Sequence, residues 1–522
     1  MIKQQVMESK LPDYSDIIHK VFSFAGGLNT HNAGLFLGDG DLYALHPDQL
    51  TLAINVIRSK NGLLRTRPGR VKINSSPVAP PSGDAVIRSM YELRRSDGTQ
   101  QICMNAGNTF YKLVGSTWTS VGTFATANLR RSYTQFKEVL LGVDGTNDMM
   151  KYDGTTLSTV AAAPKGKAMA SHRNRVWILK DKVLHYSANG DETDWTTPSN
   201  AGSVPVPISK GQGNSALISL WDRLIVFGNE QVFQLSGTGP SDFVMTPINM
   251  TNGHTLSPQG VLAAGNDVYY ADGKGVHALS VTENQALLGD VSYNYVSGSV
   301  ESEWQKISAT NQPNAFALHD KRNNLALFLY SINSTNNDSA LVADYYHLDS
   351  RGQPTWTQYT NMPFACGIEV ESLTGATDLL FGDYSGTVYK QLLTSGKDDT
   401  ANIPVAIQYT TDLGVAEFTK LLRHVLFFTD ARSGSVIVSV NFDFGNHIAT
   451  QTFDAQSISQ GVLGSSWILG ESGLGSSRFK QTRVSVPGHG RFMIMTLTYS
   501  GDSIFTLGGF LMFASLRRLT SI

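Results

Sequence analysis

The sequence predicts an all-β chain, most of it an irregular β-propeller of six or seven blades, with an additional terminal β-sandwich or sheet region. Three observations predict this: abundant glycine, a recurring short hairpin, and very little helical periodicity. Glycine supplies 49 of the 522 residues, with neither proline enrichment nor a triplet period. That usage means many tight turns rather than disorder or a collagen repeat. Aromatic residues make up 10% of the chain and charged residues only 16%, a balance that suits packed strands better than solvated helices.

The hairpin recurs at 101–113, 137–154, 174–187, 222–237, 266–280 and 377–392, with a looser copy carrying a long polar tip at 323–348. KEVLLGVDGTNDMMKYDG (137–154) shows the pattern: an apolar strand, a turn of Asp, Asn and Gly, and a second strand. Asp-Gly and Asn-Gly pairs tolerate the positive φ of tight turns, and the flanking β-branched and aromatic residues pack on pleated faces. The copies begin 36, 37, 48, 44, 57 and 54 residues apart, near the ~40–50 residues of a four-stranded propeller blade. Helical signals are confined to two weak amphipathic stretches, 13–22 and 47–56.

Beyond Leu393 the polar stretch TSGKDDTANIP (394–404) reads as a linker. Longer strands follow at 405–413, 421–431, 435–445, 478–488, 491–501 and 505–517, with a Ser/Gly/Gln-rich loop at 446–477. Val436, Val438, Val440 and Phe442 alternate onto one face. The expected organisation is an N-terminal extension and hairpin region at 1–70, a propeller at 71–395 and a β-sandwich region at 396–522.

Charge narrows the function. Forty-one basic and 43 acidic residues leave a net charge of −2, whereas proteins that grip nucleic acid through its phosphates carry a basic surplus. Cys103 and Cys366 read as two buried free thiols. Residues 1–20 lack the apolar run of a signal peptide, and no apolar stretch reaches the ~18 residues of a membrane helix.

No nucleophile elbow, phosphate loop, H-E-x-x-H or C-x-x-C motif is present. His46, His172, His185, His254, His319 and His424 fall on separate units. Asp39-Gly40-Asp41 and the 144–148 loop resemble pieces of calcium loops but lack the glutamate spacing, so turn formation accounts for them. The basic-aromatic segments Arg130-Arg131-Ser132-Tyr133 and Arg491-Phe492 have the residue types that stack on nucleic acid, though isolated pairs of this kind more often sit at strand ends or domain contacts. The sequence therefore names no catalytic, cofactor-binding or metal residue and predicts a protein that is not an enzyme.

Phe24-Ala25-Gly26-Gly27-Leu28-Asn29-Thr30 opens the folded part. After it, 54–56 and 63–66 form a hairpin ending at Arg67-Pro68-Gly69. LISLWDRLIVFGNEQVFQLSGTG (217–239), Ser257-Pro258-Gln259-Gly260-Val261, the strand pair at 269–279 and the closing strands follow in order. This series resembles the tail hub or nozzle proteins of short-tailed bacteriophages, also called packaged-DNA stabilisation or tail tube protein B-like proteins.

The resemblance implies a structural virion protein, made in the host cytoplasm and ending in the phage tail. There it would form a ring of itself, a hexamer. The ring would sit between the portal–adaptor ring and the tail tip or tail fibre proteins, and DNA would pass through its lumen without sequence-specific binding. The residues leave a carbohydrate-binding propeller (a receptor-binding tail protein) and a glycoside hydrolase open as alternatives. The irregular placement of Trp118, Trp177, Trp195, Trp221, Trp304, Trp356 and Trp467 speaks against repeated sugar sites.

Overall fold

The computed structural model describes residues 16–30, 46, 48–58, 62–207, 216–220, 222–228, 231–248, 257–280, 292–308, 310–349, 351–371, 375–414, 418–445, 447–456 and 479–517. The chain divides into two compact units. Gly69–Leu393 is one, and Met1–Pro68 together with Thr394–Ile522 is the other.

The first unit is a β-propeller with seven blades of four antiparallel strands. Blade 1 is Ile87–Arg94, Gln100–Ala106, Thr109–Val114 and Thr117–Thr123; blade 2 is Ser132–Phe136, Val139–Val143, Met149–Tyr152 and Leu157–Val160. Blade 3 is Ala168–His172, Arg175–Lys180, Val183–Tyr186 and Gly202–Pro205; blade 4 is Ala216–Leu220, Arg223–Phe227, Val232–Ser236 and Val244–Ile248. Blade 5 is Val261–Ala264, Asp267–Ala271, Val276–Ser280 and Ser292–Tyr295; blade 6 is Phe316–Asp320, Leu325–Tyr330, Ser339–Leu348 and Pro354–Thr360. Blade 7 takes three strands from the end of the unit, Phe364–Glu371, Thr377–Asp383 and Val388–Leu392, and its fourth, Gly69–Lys72, from the beginning. The first strands of successive blades neighbour one another around a ring that returns from blade 7 to blade 1.

Each hairpin read from the sequence is the second and third strand of one blade. Their turns hold because side chains replace missing backbone partners. Asp144 Oδ1 accepts the amides of Thr146 and Asn147, Asp272 Oδ1 those of Lys274 and Gly275, and Asp383 Oδ1 those of Ser385 and Thr387. The core lies in wedges between blades. Trp177, Leu179 and Tyr186 of blade 3 pack on Leu224, Val226 and Phe233 of blade 4, and Tyr111 and Trp118 of blade 1 lie in one cluster with Leu380 and Val388 of blade 7.

The second unit is a β-sandwich built from both ends of the chain. One sheet joins Asp16–Val21, Val56–Arg58, Leu64–Thr66, Thr419–Asp430, Lys480–Val484, Gly488–Gly490 and Thr506–Arg517. The other joins Leu52–Ile54, Val405–Thr411, Met493–Ser500, Ser435–Phe442 and His447–Asp454, in that spatial order. Rings interlock between them: Tyr409 meets Phe510 edge-on at 5.3 Å and Phe427 stacks on Phe453 at 5.3 Å. Val436, Val438, Val440 and Phe442 are fully buried, as their alternation predicts.

Four expectations change. The separate N-terminal and C-terminal regions are one unit, because Asp16–Val21 and Leu64–Thr66 pair with Thr506–Arg517 and Leu52–Ile54 pairs with Val405–Thr411. The stretches 13–22 and 47–56 hold strands, not helices, where they are described; Asp16–Val21 alternates in burial because a strand partner is waiting for its backbone. Glu301–Trp304 is the only α-helical turn among the described residues. The linker at 394–404 contains paired strands, Lys397–Asp398 with Ala401–Asn402, and the loop at 446–477 begins with the strand His447–Asp454; the rest of that loop, from 457, lies outside the described residues.

Closure of the propeller rests on Arg70. Its guanidinium lies over the rings of Phe364 at 4.7 Å and Tyr389 at 5.6 Å, and donates to the Asn361 carbonyl at 2.9 Å. Arg70→Ala removes a buried charged hydrogen bond and two cation–π contacts, each of order 1–2 kcal/mol. It should destabilise the propeller by about 2–4 kcal/mol, read as a lower urea midpoint at unchanged slope.

Candidate functional site

The segments that carry the family resemblance fall at turning points of the fold. Gly26-Gly27-Leu28-Asn29 runs parallel to Gln49–Leu50; Gly27 has φ +63°, and Asn29 Nδ2 donates to Gln49 Oε1 at 2.9 Å. Asn55 and Arg67 meet in the sandwich interior. Asn55 is fully buried with φ +57°, a conformation that asparagine tolerates better than most residues.

Arg67 donates to Asn55 Oδ1 at 2.9 Å and bidentately to Asp398 at 2.9 and 2.6 Å, while Asn55 Nδ2 donates to the Pro404 carbonyl at 2.7 Å. Both ends of the Arg67–Asp398 pair are 3% exposed. This cluster locks the segment before the propeller to the segment after it. Asp398→Asn leaves a guanidinium buried against a neutral amide and should destabilise the sandwich by about 3–5 kcal/mol; Arg67→Met with Asp398→Leu should cost less than that single change. Urea unfolding of the three chains checks this.

The blade-4 segment ends in a turn closed by Asp242, whose carboxylate accepts the Thr238 and Gly239 amides. Arg173 of blade 3 reaches across to the Asp222 carboxylate at 2.8 and 3.0 Å. The basic-aromatic pairs also serve the fold. Arg131 is bonded to the buried Asp144 at 2.5 Å with its guanidinium 3.3 Å over Phe124, and Arg130 donates to the Ala365 carbonyl at 2.7 Å. Tyr133 packs between Tyr91 and Phe110. The Arg491 and Phe492 amides are capped by Asp443. Asp39-Gly40-Asp41, His254, Trp221 and Trp467 lie outside the described residues.

Among the described residues no three His, Cys, Asp or Glu side chains gather around a point that a metal ion could occupy, and no helix is long and apolar enough to cross a membrane. Cys103 and Cys366 are free and buried, and burial pushes both thiols up to about 12. A chain of polar side chains joins blades 6 and 7. Glu369 meets His319 Nδ1 at 3.1 Å, and His319 Nε2 meets the Tyr345 hydroxyl at 2.8 Å. Burial pushes the Tyr345 phenol up to about 12. The phenol therefore holds its proton near neutral pH.

Two open surfaces stand out among the described residues. There His447–Asp454 ends its sheet, and six of its eight side chains are exposed. Ile448 is 58% exposed, and Ile437 of the next strand 44%. The other is a cleft of about 510 Å³ on the propeller, between residues 74–81 and the outer strands of blade 1. Neither was legible beforehand, since the strand is polar and the cleft joins segments distant in sequence.

These features define a β-propeller protein with a sandwich formed by its two ends. No family model matches the chain, and no curated protein does. Solved structures resemble the chain over most of their own length. A structure titled "YCF48 bound to D1 peptide" has a TM-score of 0.37 at 10% identity over 62% of this chain and 98% of its own. The C-terminal WD40 domain of Sif2 has a TM-score of 0.37 at 10% identity, over 66% and 95% of the two chains. BBS1N in complex with ARL6DN has 0.41 at 12% identity, over 63% and 98%.

Lys420 is the unusual charge of the sandwich. It is fully buried, donates to the Arg491 carbonyl at 2.8 Å, and burial pulls its ammonium down to about 8. An amine whose folded pKa lies below its unfolded value of 10.5 penalises folding most below pH 8, and the penalty fades as pH rises towards 10.5. The stability difference between Lys420→Met and the parent chain should therefore shift in the parent's favour between pH 8 and 10.5, by up to about 3 kcal/mol. Urea titrations across that range test it.

Proposed function

We propose that the chain is a structural virion protein of a phage tail, the nozzle or hub ring through which DNA is retained and ejected. The observation that carries this reading is the position of the resembling segments: they occupy the sandwich opening, the Asn55–Arg67 cluster, blades 4 and 5 and the closing strands, in sequence order along the whole chain.

The architecture supports it in two further ways. A closed ring needs a heterologous interface, two different surfaces of each subunit meeting, and the strand His447–Asp454, which ends its sheet among the described residues, offers an edge for one of them. The net charge of −2 suits a conduit, because a basic lumen would hold phosphate and slow passage. In this reading the ring is a hexamer that joins the portal–adaptor ring to the tail tip or fibres, and the sandwich makes most of the subunit contacts.

Mixing the full-length protein with its portal–adaptor complex should give particles with several copies in a ring around an axial channel, visible by cryo-electron microscopy. Particles that gain no such ring overturn the reading. Ile448→Lys places a charge on the open edge. It should leave monomer stability within ~0.5 kcal/mol and abolish ring formation; normal assembly by this variant would remove the edge strand from the interface.

A further inference from the structure

The sandwich has a second open edge. Asp16–Val21 pairs with Thr506–Arg517 on one side and, among the described residues, with no strand on the other. The two edges lie on opposite flanks. One sheet runs from Asp16–Val21 through Thr506–Arg517 and Thr419–Asp430 to Lys480–Val484; the other runs from Val405–Thr411 through Met493–Ser500 and Ser435–Phe442 to His447–Asp454. His19 Nε2 meets the Tyr409 hydroxyl at 2.8 Å, which sets Asp16–Val21 against Val405–Thr411. The Lys480 ammonium donates to the Asp454 carbonyl at 3.0 Å, which sets Lys480–Val484 beside His447–Asp454. Asp16–Val21 therefore stands at one flank and His447–Asp454 at the other.

Both flanks turn apolar side chains outward. Ile18 and Phe22 are each 48% exposed. Across the sheet Ile18 faces Phe513, which faces His424, and Lys20 faces Leu511, which faces Leu426. Leu426, Leu511 and Phe513 are half-buried, and Phe22 meets Phe428 at 5.3 Å. The outer face beside this edge is thus an apolar patch of the kind that marks an interface. On the other flank exposed Ile448 and Ile437 share one face of their strand pair. An edge strand has backbone N–H and C=O groups ready to take a further strand. Pairing each edge with its own kind would need two different joints. Pairing one edge with the other covers both through a single joint of unlike surfaces, as a closed ring requires.

We propose that the subunit joint is a strand pairing between two copies of this chain, Asp16–Val21 of one copy taking His447–Asp454 of the next, with Ile18 and Phe22 meeting Ile448 and Ile437 across it. The inference rests on the ring reading and supplies its second surface. It is separable by experiment, because the joint is a property of this chain alone and the tail position is not.

Two full-length variants test the joint. Ile18→Lys charges one edge and Ile448→Lys the other, both at exposed positions where the melting temperature should stay unchanged. In analytical ultracentrifugation of concentrated protein the parent should associate and each variant alone should stay monomeric. Mixed, the two should form a one-to-one dimer and nothing larger, since each chain keeps one intact edge and the two intact edges are of opposite kind. Cross-linking gives a second readout. Lys20→Cys and Thr450→Cys chains treated with a short bis-maleimide should couple to each other and not to themselves; the native thiols, buried and pushed up to about 12, do not compete. Rings on the portal–adaptor complex without the Lys20–Thr450 coupling would keep the tail reading and overturn this joint. The mixed-variant dimer without such rings would keep the joint and overturn the tail reading. Self-coupling of the Thr450→Cys chain, or neither association nor coupling alone and on the complex, also overturns the joint.

Discussion

The architecture depends on one strand pairing. Gly69–Lys72 closes blade 7 by bonding to Val388–Leu392, in a register that sets Gly69 opposite Leu392. Every other blade is complete within its own stretch of chain, so this pairing is where the beginning and end of the propeller meet. Loop closure over more than three hundred residues is entropically demanding, though the cost grows only slowly with length. The register has a second consequence. It brings the points where the chain enters and leaves the propeller side by side, so the segments outside it begin their course together. That is why two ends separated by the whole propeller can share one sandwich, and why Arg67 and Asp398, each a few residues outside the propeller, can form a buried pair.

Buried pairs of this kind are weak evidence of stability and better evidence of specificity. Replacing Arg67 and Asp398 by apolar residues would still fill the space. It would not dictate that Asn55 take its left-handed conformation or that Pro404 present its carbonyl there. The same logic runs through the blades, where Asp144, Asp272 and Asp383 each spend a carboxylate on capping a turn. Asp144, in the stretch that looks like a fragment of a metal loop, is thus consumed by backbone amides.

What the sequence revealed follows from which strands must be apolar. The second strand of each blade is largely buried on both faces, so it reads as a hydrophobic run beside a turn, and all seven hairpins were visible. The fourth strands lie at the outer edge; Leu157–Val160 and Gly202–Pro205 bury no side chain fully and carry no periodic signal. His447–Asp454 escaped for the same reason, since only Phe453 is buried. Asp16–Val21 misled because Ile17, Ile18 and Val21 are also spaced as one helical face; only its long-range pairing with Thr506–Arg517 decides the matter. The shared sandwich could not be read at all, because it depends on register across the closed ring.

The two open surfaces differ in the physics that leaves them open. The edge strand is exposed because its sheet overhangs the opposing one: Val438 and Val440 are fully buried, yet their cross-strand neighbours Gln451 and Ala449 are not. An eight-residue edge bearing Ile448 and flanked by Ile437, without proline or lysine to blunt it, is a liability in a lone monomer and an asset in an assembly. The cleft beside blade 1 is open for the opposite reason. Its walls are held apart by rigid anchoring, with prolines on one side and paired strands on the other. A stiff surface keeps the cleft in a fixed shape, where a flexible one would have closed over it.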